Sequence, residues 1–300
     1  MRTAKLGPHH PDTLGTQSRL AFLYLIQGKA DLAETLVKEV IAECTARLGA
    51  DHPVTLRSRS DLAVLYFQQG KYALAETEYR EVLAIRRVKR GANHRDTLNS
   101  QFGLAVVYRC MKKPEQAIPL LEEVIQRSSS ANNYAVTIEM QAELGAMYCD
   151  AGRFADAIPL LEEVLAQSDQ KPELAWIGNS LLTAYVGVGK KLDAVALARQ
   201  QVQAARDQFP ADSLELAVAL GLPGQALMEV EEYADAEPLL LANYEGLKQN
   251  ELQILPAERE TLLRDAIARL VQLYDFWGKP DKAAEWRQEL AARTADQPEN

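Results

Sequence analysis

The stretch that decides the fold is Leu62–Ala84, which reads LAVLYFQQGKYALAETEYREVLA. It begins with a helical pattern, is interrupted at Gly70-Lys71 and continues at once with a second helical pattern. The same order of residue types occurs 42 residues earlier in Leu20–Ala42 and 42 residues later in Leu104–Gln126. A period of roughly 20 to 50 residues is typical of stacked arrays. The sequence therefore predicts a stack of helix-turn-helix repeats.

The residue that closes the first helix of each pair, helix A, sets the register of the repeats. These residues are Gly28, Gly70, Lys112, Gly152, Gly189, Glu231 and Gly278. Glycine suits this place because a helix commonly ends in a left-handed residue. At Lys112 and Glu231 we expect turns that are wider or that rely on a neighbouring side chain.

Each helix also carries its own marker. Helix A has Leu followed by Ala or Gly and then Tyr three residues later, as in Leu62-Ala63 with Tyr66. Helix B has an alanine at a fixed place: Ala33, Ala75, Ala117, Ala157, Ala194, Ala236 and Ala283. Such a helix cannot bury its apolar face alone, so each repeat needs the next one.

These residues resemble the tetratricopeptide repeat. The linkers between pairs, such as Leu48–Leu56 (LGADHPVTL), are similar to those of the kinesin-light-chain subclass, as found in bacterial multidomain arrays, including regions that follow Ser/Thr kinase domains. The resemblance implies an all-α, right-handed superhelix of about seven repeats in a single array over residues 1–295. The repeats are expected at approximately 12–47, 54–89, 96–128, 135–168, 173–208, 213–248 and 258–295, with a disordered tail at 296–300.

Two local signals refine this picture. In the linkers, His-Pro extends the chain, since the residue before proline avoids the helical region, and Asp or Thr is expected to cap the next helix A. Within helix A of repeat six, Leu222-Pro223-Gly224 predicts a kink or a late start, because an interior proline costs about 3 kcal/mol.

Composition limits the class of protein. No apolar run reaches the roughly 18 residues of a membrane helix, and the first residues form no secretion signal, so a cytoplasmic protein is expected. The three cysteines, Cys44, Cys110 and Cys149, are scattered and are expected to be free and buried. The net charge of −9 argues against nucleic acid as a partner. Residues 1–130 nevertheless hold 19 Lys and Arg against 14 Asp and Glu, so the array has a basic and an acidic end.

No enzyme motif is found, so we expect no catalytic activity, no metal and no cofactor. His10, His52 and His94 are one repeat apart, about 10 Å, which is too far to share a metal. The carboxylate pairs Glu122-Glu123 and Glu162-Glu163 diverge around a helix and are expected to be solvated.

The basic run Arg86–Arg90 has two interpretations. It ends helix B of repeat two, where cations favour the helix dipole. Alternatively, it attracts an acidic peptide or a neighbouring acidic domain.

In tetratricopeptide arrays, extended peptides lie along the concave surface formed by helices A. The resemblance places ten candidate peptide-binding residues there: Arg19, Arg57, Ser60, Asp61, Asn99, Phe102, Arg109, Glu139, Trp176 and Asn179. The Asn-Asn pair with which kinesin-light-chain arrays hold a peptide backbone is replaced, for example by Ser60-Asp61 and Phe102-Gly103.

The sequence therefore predicts a non-catalytic scaffold that binds a peptide or protein segment. The alternative is a C-terminal regulatory or sensor region of a larger signalling enzyme, such as a bacterial Ser/Thr kinase. A third interpretation is self-assembly through the ends of the array. The sequence leaves the oligomeric state open.

Overall fold

The structure is a computed structural model that describes residues 11–130, 137–167 and 176–295. Within these ranges all regular structure is helical. The chain forms two compact units, residues 1–151 and 152–300, called unit 1 and unit 2 below. The all-α repeat fold that the sequence predicts is confirmed.

The helices alternate between the predicted helices A (odd numbers) and helices B (even numbers). Those of unit 1 are α1 (Pro11–Ile26), α2 (Ala30–Leu48), α3 (Pro53–Gln68), α4 (Tyr72–Arg90), α5 (Arg95–Cys110), α6 (Pro114–Ser130) and α7 (Ile138–Asp150). Those of unit 2 are α8 (Phe154–Gln167), α9 (Ile177–Gly187), α10 (Lys191–Gln208), α11 (Leu214–Glu229), α12 (Tyr233–Gln249), α13 (Pro256–Phe276) and α14 (Pro280–Ala295), with a 3-10 turn at Glu251–Gln253. The tail at 296–300 lies outside the described residues, and the single array stays a prediction.

The alanines that mark helix B lie at the centre of the packing. All seven are at most 1% exposed. In helix A, Ala21, Ala63 and Ala105 are fully buried as well. A side chain of one methyl group lets the helix backbones approach closely, which explains why alanine recurs at these places.

The turns at Lys112 and Glu231 are not wider than the glycine turns, so the wider turn, one of the two expected outcomes, is wrong. Both residues are left-handed, with φ of 56° and 67°. The amide of Lys113 donates to the carbonyl of Tyr108 at 2.9 Å, as the amide of Lys71 does to that of Tyr66. Since the hydrogen bonding of the turn is kept, the non-glycine residues adopt the strained conformation instead of opening the turn.

Histidine, not Asp or Thr, caps helix A after the His-containing linkers. His52 precedes α3, and its Nδ1 accepts a hydrogen bond from the amide of Val54 at 3.2 Å. His94 does the same for Asp96 at 3.1 Å. The ring nitrogen reaches an amide that the helix leaves unpaired, so the cap assigned to Asp or Thr in these linkers is wrong. His10 lies outside the described residues.

Helix α11 runs through Pro223 without interruption, from Leu214 to Glu229. The late start that the sequence offered as one outcome is therefore wrong. Pro223 and Gly224 are buried, and a Cβ on Gly224 would lie only 3.0 Å from Cδ2 of Leu240 in α12. The segment of α11 that contains Pro223 and Gly224 therefore packs closely against α12.

Neighbouring repeats are joined by a hydrogen bond from the tyrosine near the end of helix A to a glutamate in the helix B before it. These pairs are Tyr66–Glu34, Tyr108–Glu76, Tyr148–Glu122, Tyr185–Glu162 and Tyr274–Glu237, with distances from 2.7 to 3.5 Å. The glutamate directly follows the marker alanine in three repeats. In the two repeats with Ile118 or Ile158 at that place, it stands one helical turn later.

Candidate peptide-binding surface

Helix α3 presents three of the predicted binding residues. Arg57 is exposed and makes no hydrogen bond or ion pair with the described residues. Ser60 donates its hydroxyl to the carbonyl of Leu56 at 3.0 Å, within its own helix. Asp61 is half-buried. Arg57 is thus the cation on this helix that is free to meet a ligand.

Behind Arg57 lies a buried arginine that sequence reasoning treated as part of a surface run. Arg86, in α4, is only 6% exposed. Its Nη1 donates to the carbonyl of Asp96 at 3.1 Å and to Oγ of Ser100 at 2.5 Å. Among the described residues no carboxylate lies within ion-pairing distance of Arg86. Burial lowers the pKa of its guanidinium, and the field of Asp96 opposes this shift.

The other members of the basic run are already paired inside unit 1. Arg87 contacts Glu123 at 3.1 Å, Lys89 contacts Asp51 at 2.7 Å, and Arg90 contacts His94 at 3.0 Å. A run that looks like one basic patch in the sequence is therefore divided, and the helical period buries Arg86 while it exposes Lys89 and Arg90.

Tyr79 of α4 fills the space above Gly103 of α5. A Cβ on Gly103 would lie 2.5 Å from Cζ of the Tyr79 ring. Burial raises the pKa of Tyr79 to about 12, and the charge of Asp61 adds to this effect. Gly103 stands where the resemblance to kinesin-light-chain arrays leads us to expect the second asparagine of the Asn-Asn pair. In this protein the ring of Tyr79, from helix B, occupies the space beside it. Sequence reasoning missed it because Gly103 gives no sign of what fills its space.

Helix α5 carries Asn99, Phe102 and Arg109. Asn99 is exposed and Phe102 is half-buried. Arg109 donates from Nη1 to Glu143 at 2.8 Å and from Nε to Asp150 at 2.9 Å, both in α7. Burial lowers the pKa of Arg109, but the two carboxylates outweigh this effect and raise it. Arg109 thus already has two ionic partners, unlike Arg57.

Beside Arg109, a pocket of about 540 Å³ opens between the ends of α5 and α7. Its walls are Arg109, Cys110, Lys112, Pro114, Met147 and Asp150.

Cys110 is exposed, which corrects the expectation that all three cysteines are buried; Cys44 is buried and Cys149 is half-buried. Although Cys110 is exposed overall, partial desolvation of its thiol raises the pKa, which is the opposite of what activates a cysteine nucleophile.

The remaining predicted residues belong to other helices. Glu139 is half-buried in the first turn of α7. Trp176 precedes α9 in unit 2, where Asn179 is exposed and accepts a hydrogen bond from Gln201 at 3.3 Å. The side chain of Arg19 lies outside the described residues. The structure therefore brings together Arg57 and Asp61 around Arg86, and Arg109 with α7.

The carboxylate pairs are structural. Glu122 accepts the hydroxyl of Tyr148 at 2.7 Å, whereas Glu123 accepts from Gln101 at 2.7 Å. Glu162 accepts from Tyr185 at 2.8 Å. The prediction that each pair diverges is confirmed, but these three carboxylates bind side chains of other helices and are not simply solvated. Glu163 accepts a hydrogen bond from Gln167 at 3.3 Å.

Within the described residues, no group of three or more His, Cys, Asp or Glu is arranged to hold a metal ion. The helices in those residues are also too short or too polar to cross a membrane. The alternating helices and their repeated contacts define an all-α helical-repeat protein.

Comparison with known proteins identifies the family. Tetratricopeptide-repeat profiles match residues 12–87, 63–130 and 137–166. A solved structure of TPR-like repeats from a kinesin light chain of Podosopora anserina, repeats that are nearly identical to one another, is 28% identical over 64% of this chain and 94% of that one, with a TM-score of 0.55. The chain is therefore a tetratricopeptide-repeat protein of the kinesin-light-chain-like type, as the sequence predicts.

Two further solved structures share the fold. BtubC (BKLC) from P. vanneervenii is 21% identical, with a TM-score of 0.58 over 70% of this chain and 88% of that one. A Rap protein complexed with Competence and Sporulation Factor is 12% identical, with a TM-score of 0.50 over 94% of this chain and 99% of that one. No curated protein is significantly similar to the chain in sequence.

Proposed function

We propose that the chain is a non-catalytic scaffold whose helix-A surface in unit 1 binds a polypeptide segment, with an anionic group of that segment at Arg57. The observation that carries this proposal is the unbalanced charge at that place. Arg57 has no partner among the described residues, and the buried Arg86 beneath it has no ion-paired carboxylate.

The contrast with nearby arginines supports this assignment. Arg59, two residues from Arg57, is held by Glu78 at 2.8 Å and by Glu81 at 2.5 Å. Arg109 is held by Glu143 and Asp150. Asp96 and Asp61 act on Arg86 only from beyond ion-pairing distance. A buried charge without a direct ion pair is costly, so a carboxylate placed at Arg57 would reduce that cost at Arg86.

The family and fold support a polypeptide ligand. The similar Rap structure contains a bound factor, and repeat arrays offer extended surfaces for such contacts. Because fold alone does not establish function, the charge at Arg57 is the specific argument. The alternative of a regulatory region in a larger signalling enzyme stays a prediction.

The test is affinity capture from a lysate of the source organism with three proteins: wild type, Arg57→Glu and Arg264→Glu. Arg264 is the matched control, since it is exposed on a helix A of unit 2 and has no partner among the described residues. We expect a partner with wild type and Arg264→Glu, and at least about tenfold weaker binding with Arg57→Glu. Equal recovery with all three proteins, or no recovery above empty beads, would contradict the proposal.

A further inference from the structure

The first residue of helix B packs against the end of the next helix A, and in three repeats this residue is aromatic. Tyr72, which starts α4, lies near Cys110 at the end of α5, where burial raises the pKa of the thiol and Tyr72 acts in the opposite direction. Phe154, which starts α8, lies over the last residue of α9, because a Cβ on Gly187 would be 2.3 Å from its ring.

Tyr233, which starts α12, is the third example. Its ring stacks on Trp277, which follows α13, with 6.0 Å between the ring centroids and 26° between the planes. The three aromatic residues belong to different repeats and have the same register in each, three residues before the marker alanine of helix B. The fold therefore uses an aromatic ring at this position as a link between neighbouring repeats.

In repeat three the ring is missing. Helix α6 begins with Pro114, and the pocket of about 540 Å³ lies between this proline and Asp150 at the end of α7. Of the other three helices B, α10 begins with Lys191, which forms an ion pair with Glu232 at 3.2 Å, and α2 begins with Ala30. The third, α14, begins with Pro280 and is the last of the described helices, so no helix A follows it there. The pocket thus lies where repeats two, four and six place a ring of their own.

The walls of the pocket suit an aromatic group. Met147 is fully buried, and thioethers pack favourably against rings. Arg109 also lines the pocket, where its guanidinium is held by Glu143 and Asp150. The volume falls within the range of roughly 300 to 1,000 Å³ that is usual for ligand pockets.

We propose that this pocket accepts an aromatic side chain of the bound segment, in the place that Tyr72, Phe154 and Tyr233 fill in their own repeats. That the ring belongs to a polypeptide rests on the proposed function. The preference for a ring over an aliphatic chain rests on the three internal examples, which include both a phenyl and a phenol group.

The test uses N-acetyl-tryptophanamide as the probe and methyl NMR of protein labelled at its five methionines. The methyl signal of Met147, assigned with Met147→Leu, should show a saturable upfield shift from the ring current of the probe. The signal of Met228, buried in unit 2, should not move. N-acetyl-leucinamide should shift Met147 less, and equal saturable shifts with both amides would overturn the preference for a ring.

A variant that fills the pocket gives the second arm. Pro114→Tyr restores the residue that repeat two carries, so it should fold and shift the Met147 signal without any probe. The probe should then no longer act on Met147. The control is Ala30→Tyr, the same change at the same register in repeat one, which should leave binding of the probe unchanged. If wild type shows no saturable shift, or if Pro114→Tyr still binds, the proposal is wrong.

These outcomes are independent of the captured partner. A Met147 response without a captured protein would support the pocket and contradict the proposed function. A captured protein without a Met147 response would support the proposed function and contradict the pocket.

Discussion

The hydroxyl of Tyr108 donates a hydrogen bond to Oε1 of Glu76 at 3.1 Å, across the boundary between the second and third repeats. Lys113, five residues after this tyrosine, lies 3.8 Å from Oε2 of the same carboxylate. One glutamate therefore holds both the end of helix A and the start of helix B in the next repeat. A contact of this kind recurs across four other boundaries within the two units.

Tyr108→Phe should lower the free energy of unfolding by about 1 to 2 kcal/mol, because the hydrogen bond goes to a charged acceptor. The measurement is urea denaturation followed by circular dichroism. Tyr24→Phe is the matched control, since Tyr24 has the same register and its hydroxyl makes no hydrogen bond with the described residues. Equal losses in both variants would show that the hydrogen bond contributes nothing.

Glu34→Gln should cost stability at neutral pH but not at low pH. The pKa of Glu34 is lowered by hydrogen bonds from Lys38 and Lys71. A carboxylate with a depressed folded-state pKa stabilises the fold above its unfolded value, near 4.5, and this contribution is lost as the pH falls further. The two proteins should therefore differ in unfolding free energy at pH 7 and converge as the pH falls through the lowered folded-state pKa of Glu34.

The control for this pH dependence is Glu39→Gln. Glu39 is exposed and makes no hydrogen bond or ion pair with the described residues. Its substitution should change stability little at either pH. A Glu34→Gln difference that persists at low pH would show that the amide disturbs packing and not an ionic contact.

Gly103→Ala should destabilise unit 1 by about 1 to 3 kcal/mol, since the added Cβ would overlap the buried ring of Tyr79. Tyr79→Leu should relieve the overlap, because Leu121, Leu161 and Leu240 stand at the equivalent place in other repeats. A double-mutant cycle measured by urea denaturation checks this coupling. Additive losses in the double variant would contradict it.

Lys112→Gly should raise the stability of unit 1 by about 1 kcal/mol, since a left-handed conformation is strained for lysine and free for glycine. Lys113→Gly is the control one residue later, where the residue has no positive φ. It should bring no gain. Thermal unfolding distinguishes the two variants, and a lower melting temperature for Lys112→Gly would mean that its side chain contributes more than its backbone costs.

The fold could be predicted from the sequence because the same helix-turn-helix pattern recurs several times, with a period of 42 residues in the first three repeats. The marker alanines, the left-handed turns and the alternation of helices all follow from short-range pattern. The details of the turns did not, because Lys112 keeps the hydrogen bonds of a glycine turn at the expense of strain. The sequence analysis looked for the usual capping residues, Asp and Thr. The cap is instead Nδ1 of His52, which accepts a hydrogen bond from the amide of Val54.

The candidate surface was predicted less well, because its charges depend on partners that are far apart in the chain. Arg57 and Arg109 have the same residue type on successive helices A, yet Arg109 meets two carboxylates of α7 and Arg57 meets none. Arg86 adjoins three surface cations in sequence but is buried. The pocket at Pro114 becomes visible only when the equivalent aromatic rings are located in space.

The contact between Tyr108 and Glu76 has a consequence for how such a chain can change its length. Glu34 stands 42 residues before Glu76, in the same place of its repeat, and His52 stands 42 residues before His94. Deletion of residues 53–94 would therefore bring Glu34 opposite Tyr108 and rejoin the linker at an identical histidine. The boundaries between these repeats are interchangeable. The array can therefore lose or gain a whole repeat by recombination, and every remaining boundary keeps its hydrogen bond.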